Sequence, residues 1–165
     1  MQSRFIQATV MAPAAAGLLL LSACGKNKET LNLIQRSDDP VELTSLDLNP
    51  NGDSGDITTF VADVYRDNKP YGSMMGTITT VGAVGKGSRP NREERLLTAV
   101  YDLPGGQISA LGISYYFEGD RLLPKGDSMT RAIVGGTGKY MGVDGEVTTT
   151  RNHDNSYTHV LRIVK

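Results

Sequence analysis

The sequence predicts an all-β domain, on three observations. Nineteen glycines in 165 residues, set among many Thr and Val, favour extended chain with frequent corners. Apolar residues recur in short extended runs, such as Ile57 to Tyr65 and Tyr157 to Val164. Between the runs stand turn-forming clusters, Arg66-Asp67-Asn68-Lys69-Pro70 and Leu103-Pro104-Gly105-Gly106 among them. The strand count comes to roughly seven to nine, spaced as in a closed antiparallel barrel or a sandwich.

Composition narrows the class further. Once a leader is removed, the length leaves room for one domain with one core. A near-neutral balance of 17 basic and 18 acidic residues, with no Trp, argues against a nucleic-acid surface. A single cysteine cannot close an intrachain disulfide. With only His153 and His159 beside it, the chain offers no thiolate and imidazole set for zinc, and no metal is expected.

Residues Ala12 to Leu21 form an apolar run behind Arg4, too short to span a membrane as a mature helix, and Leu21-Ser22-Ala23-Cys24 closes it. That ending looks like the lipobox of a bacterial lipoprotein, in which Cys24 becomes the lipid-bearing first residue. An ordinary signal with a chance cysteine is the plainer alternative. Two acyl chains on Cys24 would hold a membrane where one chain binds only marginally. The chain then divides into a cleaved signal over 1–23, a polar tether over 24–29 and one β domain over 30–165. Its expected place is outside the cytoplasm, anchored to the cell membrane or outer membrane.

Thr30 to Gln35 and Val41 to Leu48 read as two short strands, or as one strand broken at Ser37-Asp38-Asp39-Pro40. Asp47 to Asp53 matches the first half of a calcium loop, yet Thr58 stands where the bidentate Glu belongs, and a solvated turn is the simpler account. Ile57 to Tyr65 and Tyr71 to Val81 form the first clear strand pair. Gly82 to Arg95, rich in Gly, Pro and basic residues, reads as an exposed loop at the lip of whatever the domain encloses. Leu96 to Asp102 and Gln107 to Phe117 flank the Pro-Gly-Gly turn, and Leu123-Pro124-Lys125-Gly126-Asp127 marks a corner. Arg151 to Ser156 turns the chain into its last strand, Tyr157 to Val164. No helix longer than two turns is expected.

The organising stretch is Arg131 to Val147. The apolar run Ala132-Ile133-Val134 stops at Gly135-Gly136-Thr137-Gly138, and a second step, Gly142-Val143-Asp144-Gly145, precedes renewed extended chain. Glycine supplies the positive φ of tight corners, so this reads as strand, folded corner and strand. It is no phosphate loop. That motif needs a Gly five residues before its Gly-Lys pair and Ser or Thr after it, where this chain has Ile133 and Tyr140. The segment from Ile133 to Val147 closely resembles the GGTGxYxGxxGxV motif of the allene oxide cyclase and dirigent protein superfamily. The resemblance continues through Gly55-Asp56, Val64 to Asp67, Tyr71-Gly72 and Tyr101 to Ile108, and covers roughly residues 30 to 165. It tips the choice of architecture to an eight-stranded antiparallel barrel.

Alternation sends one set of side chains into such a barrel and the other out, and sequence does not say which. Apolar groups on both parities, Phe60, Ala62 and Val64 against Ile57, Val61 and Tyr65, suggest a lined interior and a protein-covered exterior. A homo-oligomer, trimer or dimer, fits that pattern and the resemblance. Tyr65, Tyr101 and Tyr115 are candidate pocket residues, with Arg131 and Glu146 the charged candidates. Asp63 and Asp102 also lie in or beside apolar runs. Buried charges must be paired, so a structural ion pair between Arg131 and Glu146 across the glycine corner is preferred to a catalytic role. His153 lies in a polar hairpin. His159 could face inward, but no nucleophile is tied to it by spacing.

The resemblance implies an apolar small molecule held in the barrel, its cyclisation or isomerisation steered by confinement, with no cofactor. The alternative is a membrane-tethered binding protein that keeps the shape without the reaction. Two departures stop any specific activity from transferring. Plant allene oxide cyclases carry an acid on the first strand, where Leu31 to Arg36 has none, and dirigent proteins carry an Arg where this chain has Asp144.

Overall fold

Nine antiparallel strands make up the computed structural model, which describes residues 27–48, 54–82, 91–118, 120 and 122–165. They are β1 (Lys28–Gln35), β2 (Glu42–Leu46), β3 (Ile57–Arg66), β4 (Lys69–Gly82), β5 (Glu93–Leu103), β6 (Gly106–Tyr116), β7 (Ser128–Gly136), β8 (Asp144–Arg151) and β9 (Tyr157–Val164). One turn of 3-10 helix, Gly138–Tyr140, separates β7 from β8. Strands β3 to β9 pair in sequence order, β9 pairs with β1, and β1 returns to β3 with Ile34 opposite Tyr65. The result is a closed eight-stranded barrel with β2 as an extra strand. Closure removes the unpaired edges that an open sheet would expose.

The short turns follow from local chemistry. Asp67 and Asn68 both sit at positive φ, 50° and 61°, in the two-residue link from β3 to β4. Asp and Asn tolerate that region, and this turn matches the strand twist. Ser37 to Pro40 does break the first strand as the sequence suggested. β1 and β2 run the same way along one side of β3, which gives its Tyr65 end to β1 and Ile57 to Val61 to β2. The chain between them leaves the wall.

Parity is settled by burial. Phe60, Ala62 and Val64 face in and Val61 and Asp63 face out; Leu97, Ala99, Tyr101 and Leu103 face in on β5. The two halves of the interior differ. At the end where Asn27 pairs with Lys165, Leu31, Leu33, Ile108, Leu161 and Ile163 pack solidly, closed over by Tyr140 and Val143 from the β7–β8 corner. Each fully buried aliphatic of this kind stabilises by about 1.5–3 kcal/mol. At the other end the walls carry smaller groups.

Two expectations need correction. Gly82 to Arg95 is less loop than its composition suggested: β4 runs to Gly82 and β5 starts at Glu93, whose buried carboxylate pairs with Arg95. Paired, the two charges can enter a strand. Arg131 and Glu146 are not partners. Glu146 lies exposed and bonds Arg162 at 2.8 Å, because the register sets it opposite Ala132 and Arg162 on the outer face. Cys24, residues 49–53 of the calcium-like loop and residues 83–90 of the proposed lip lie outside the described residues.

Candidate functional site

The small residues create the site. Ala99 stands opposite Gly76 on one side and Ala110 on the other, and Ala62 lies one strand further. With so little side chain in the wall, the less densely packed half encloses a cavity of about 430 Å³, within the range of small-molecule sites. Phe60, Met74, Ile78, Leu97 and Val147 add apolar lining. Its rim is the β1–β2 break, with Arg36, Asp39 and Val41, together with Leu122, Leu123 and Asn155 from other connections at that end.

A polar cluster interrupts the apolar lining. Arg131 on β7 is 4% exposed, its stem lying against Gly112, where any side chain would press on it. Its guanidinium donates through Nε and Nη2 to Ser114 Oγ, at 3.2 and 2.6 Å, and through Nη1 to Thr149 Oγ1 at 3.1 Å. Among the described residues no carboxylate pairs with it. Burial lowers its pKa, the ordinary response of a cation taken from water. Thr149 Oγ1 lies 3.0 Å from His159 Nδ1, and the Tyr101 hydroxyl lies 3.2 Å from the same atom. The Tyr101 and His159 rings meet edge to face at 5.7 Å, and Tyr157 stacks on the imidazole at 6.4 Å.

The electrostatics of the cluster are lopsided. Burial, reinforced by the Arg131 charge, pushes the His159 pKa down to about 3. Burial pushes Tyr101 up to about 12, with Arg131 and Thr149 opposing the shift. Near neutral pH the site therefore holds one fixed cation, a neutral imidazole and a neutral phenol. Thr149 accepts from Arg131, so its own proton is free to go to His159 Nδ1, and we assign the ring proton to Nε2. Nε2 is buried without a partner among the described residues.

Of the residues proposed from sequence, Tyr101 and Arg131 line the cavity together. Tyr65 faces out of the barrel, its ring under the Arg36 guanidinium at 3.8 Å, and Tyr115 is half-buried on the outward parity beside Tyr116, which turns in. Glu146 is on the outer wall. Sequence reasoning missed Ser114 and Thr149 and passed over His159. A signal for His159 was present: it shares its parity with Leu161 and Ile163. Thr149 sits within Thr148-Thr149-Thr150, where nothing distinguishes one hydroxyl from the next.

No family model matches this sequence, and no curated protein matches it. Solved structures do. A pyocyanin demethylase superposes with a TM-score of 0.62 at 21% identity, covering 82% of this chain and 99% of its own. A pterocarpan synthase dirigent protein gives 0.59 at 14% identity, over 95% of this chain and 96% of its own. The fold is the closed antiparallel barrel that the dirigent protein also has. A Diels–Alderase from Streptomyces koyangensis shares it, with a TM-score of 0.60 at 16% identity, 84% of this chain matching 63% of that one. At these identities the likeness is one of backbone shape, and the side chains of the site must speak for themselves.

Proposed function

We propose that this barrel takes up one apolar small molecule and steers its cyclisation or isomerisation by confinement. The observation that carries the reading is the cavity itself: largely apolar walls thinned by Ala62, Ala99 and Ala110 beside the Arg131 cluster. Holding a flexible substrate near its reactive shape replaces lost freedom with rate, and needs no acid or base. The cyclase and dirigent activities named for structures of the same fold support it.

One observation favours the non-catalytic alternative. His159 and Tyr101 have pKa values far from neutrality, so the cluster provides no general acid–base pair there. The readings separate when apolar extracts of the source cells are offered to the protein. Confinement catalysis returns a compound of unchanged mass and altered retention; a carrier returns it unaltered. Both require occupancy. Ala99→Phe, which places a ring in the cavity, is expected to weaken dodecanol binding at least about tenfold by calorimetry while the fold survives. Undiminished binding would remove the cavity from the proposal.

The reading also includes a lipid tether at Cys24 and a homo-oligomer packed through outward apolar groups such as Val61, Met75 and Val134. Native mass spectrometry of detergent-extracted protein tests both. It is expected to find acyl mass on Cys24 and a dimer or trimer; unmodified monomer would refute both.

A further inference from the structure

We propose that the ligand carries a carboxylate, seated on Arg131 with Tyr101 and His159 beside it; this rests on the apolar-ligand reading above. The argument is a count of hydrogen-bonding groups. A guanidinium has five N–H donors. Arg131 spends one through Nε and one through Nη2 on Ser114, and one through Nη1 on Thr149. One N–H on Nη1 and one on Nη2 therefore remain, on adjacent nitrogens, the fork that matches a carboxylate with two parallel bonds.

The surroundings offer the same chemistry. His159, 1% exposed, brings a buried Nε2 with no partner among the described residues, and the tautomer assigned above makes it a donor. The Tyr101 hydroxyl, equally buried, lies 3.2 Å from His159 Nδ1, to which it donates in that tautomer. A buried cation with no counter-charge among the described residues is costly, and a negatively charged acceptor relieves it. A neutral hydrocarbon does not, and a second cation would be repelled. Phe60, Met74, Ile78, Leu97 and Val147 in the lining suit an unbranched or cyclic hydrocarbon body, while Gln35, Arg36, Asp39, Arg151 and Asn155 add polar groups elsewhere in it. At roughly 30 Å³ per water-sized group, the cavity accommodates about 14 heavy atoms.

The test compares three probes with one body: dodecanoate, dodecanol and dodecylammonium, titrated calorimetrically below their micelle concentrations into the full-length protein. Dodecanoate is expected to bind about ten- to a hundredfold tighter than dodecanol, the worth of charge-assisted bonds, with dodecylammonium weakest. In Arg131→Met the acid is expected to lose its advantage over dodecanol. Equal affinity of acid and alcohol in the unaltered protein overturns the carboxylate while leaving the apolar cavity intact. An advantage that survives Arg131→Met in a folded variant also overturns it. Binding of none of the three refutes the cavity reading and this one with it. The comparison in the unaltered protein decides the matter even if the variant fails to fold.

Discussion

Acidification is expected to cost the fold up to about 1.4 kcal/mol per pH unit through His159 alone, across the window from about pH 6.5 down to about 3. The sign follows from proton counting. An unfolded His159 binds its proton near pH 6.5, while the folded one, desolvated and facing Arg131, refuses it until about pH 3. Between those values the unfolded chain holds the extra proton, so stability falls as pH falls. The full window amounts to about 5 kcal/mol, comparable with the whole stability of a marginal domain. Urea unfolding from about pH 7 to about pH 4, on the native protein and on His159→Gln, isolates the contribution. Glutamine cannot take the proton, so the native curve should drop towards that of the variant as acid is added. Curves that stay parallel would mean that the folded imidazole accepts its proton readily, and that the cluster is wetter than its burial implies.

Gly138→Ala is expected to destabilise by about 3–4 kcal/mol, against about 1 kcal/mol for Gly142→Ala a few residues away. Both glycines have positive φ, 59° and 77°, and both substitutions carry the left-handed penalty. They differ in what a Cβ would meet. At Gly142 the space is open, whereas at Gly138 the new atom would collide with the Gly105 carbonyl oxygen. That carbonyl accepts from Lys139 N at 2.8 Å, and the neighbouring Thr137 N donates to Gln107 O at 2.9 Å. The β5–β6 turn is thus stacked backbone to backbone on the β7–β8 corner. A side chain at Gly138 must part them, loosening Tyr140 and Val143 from the closed end. Thermal or chemical melts of the two variants read the contrast directly; equal losses would show that the stacked turns contribute nothing beyond backbone conformation.

The corners were legible in the sequence because their chemistry is local. Glycine at positive φ, Asp67-Asn68 in a two-residue turn and Pro104-Gly105 in another each restrict the backbone whatever surrounds them. The candidate site was legible only in part. Arg131 and Tyr101 stood out as a charge and an aromatic within apolar runs, and both reach the cavity. Glu146 stood out equally and does not. It is opposite Ala132, one place from Arg131, and a shift of one residue in a strand is a change of face. The same ambiguity separated Tyr115 from Tyr116. Glu93 was hidden for another reason: it stands in a stretch whose Gly, Pro and basic residues suggested a loop, and its pairing with Arg95 helps to admit it to a strand.

By itself the sequence determined that this chain is all β, where most of its strands turn, and that the Arg131 to Val147 corner belongs to a barrel of this superfamily's shape. The first two depend on side-chain sterics within a few residues, and the third on the resemblance that the glycine motif carries. Only the tertiary structure decided which parity faces inward, that one half of the barrel is packed solid while the other is hollow, and that Arg131, Ser114, Thr149, His159 and Tyr101 meet in one cluster with no carboxylate pairing Arg131 among the described residues. Those features arise from register between strands distant in sequence. Register is a property of the closed sheet, and no single strand carries it.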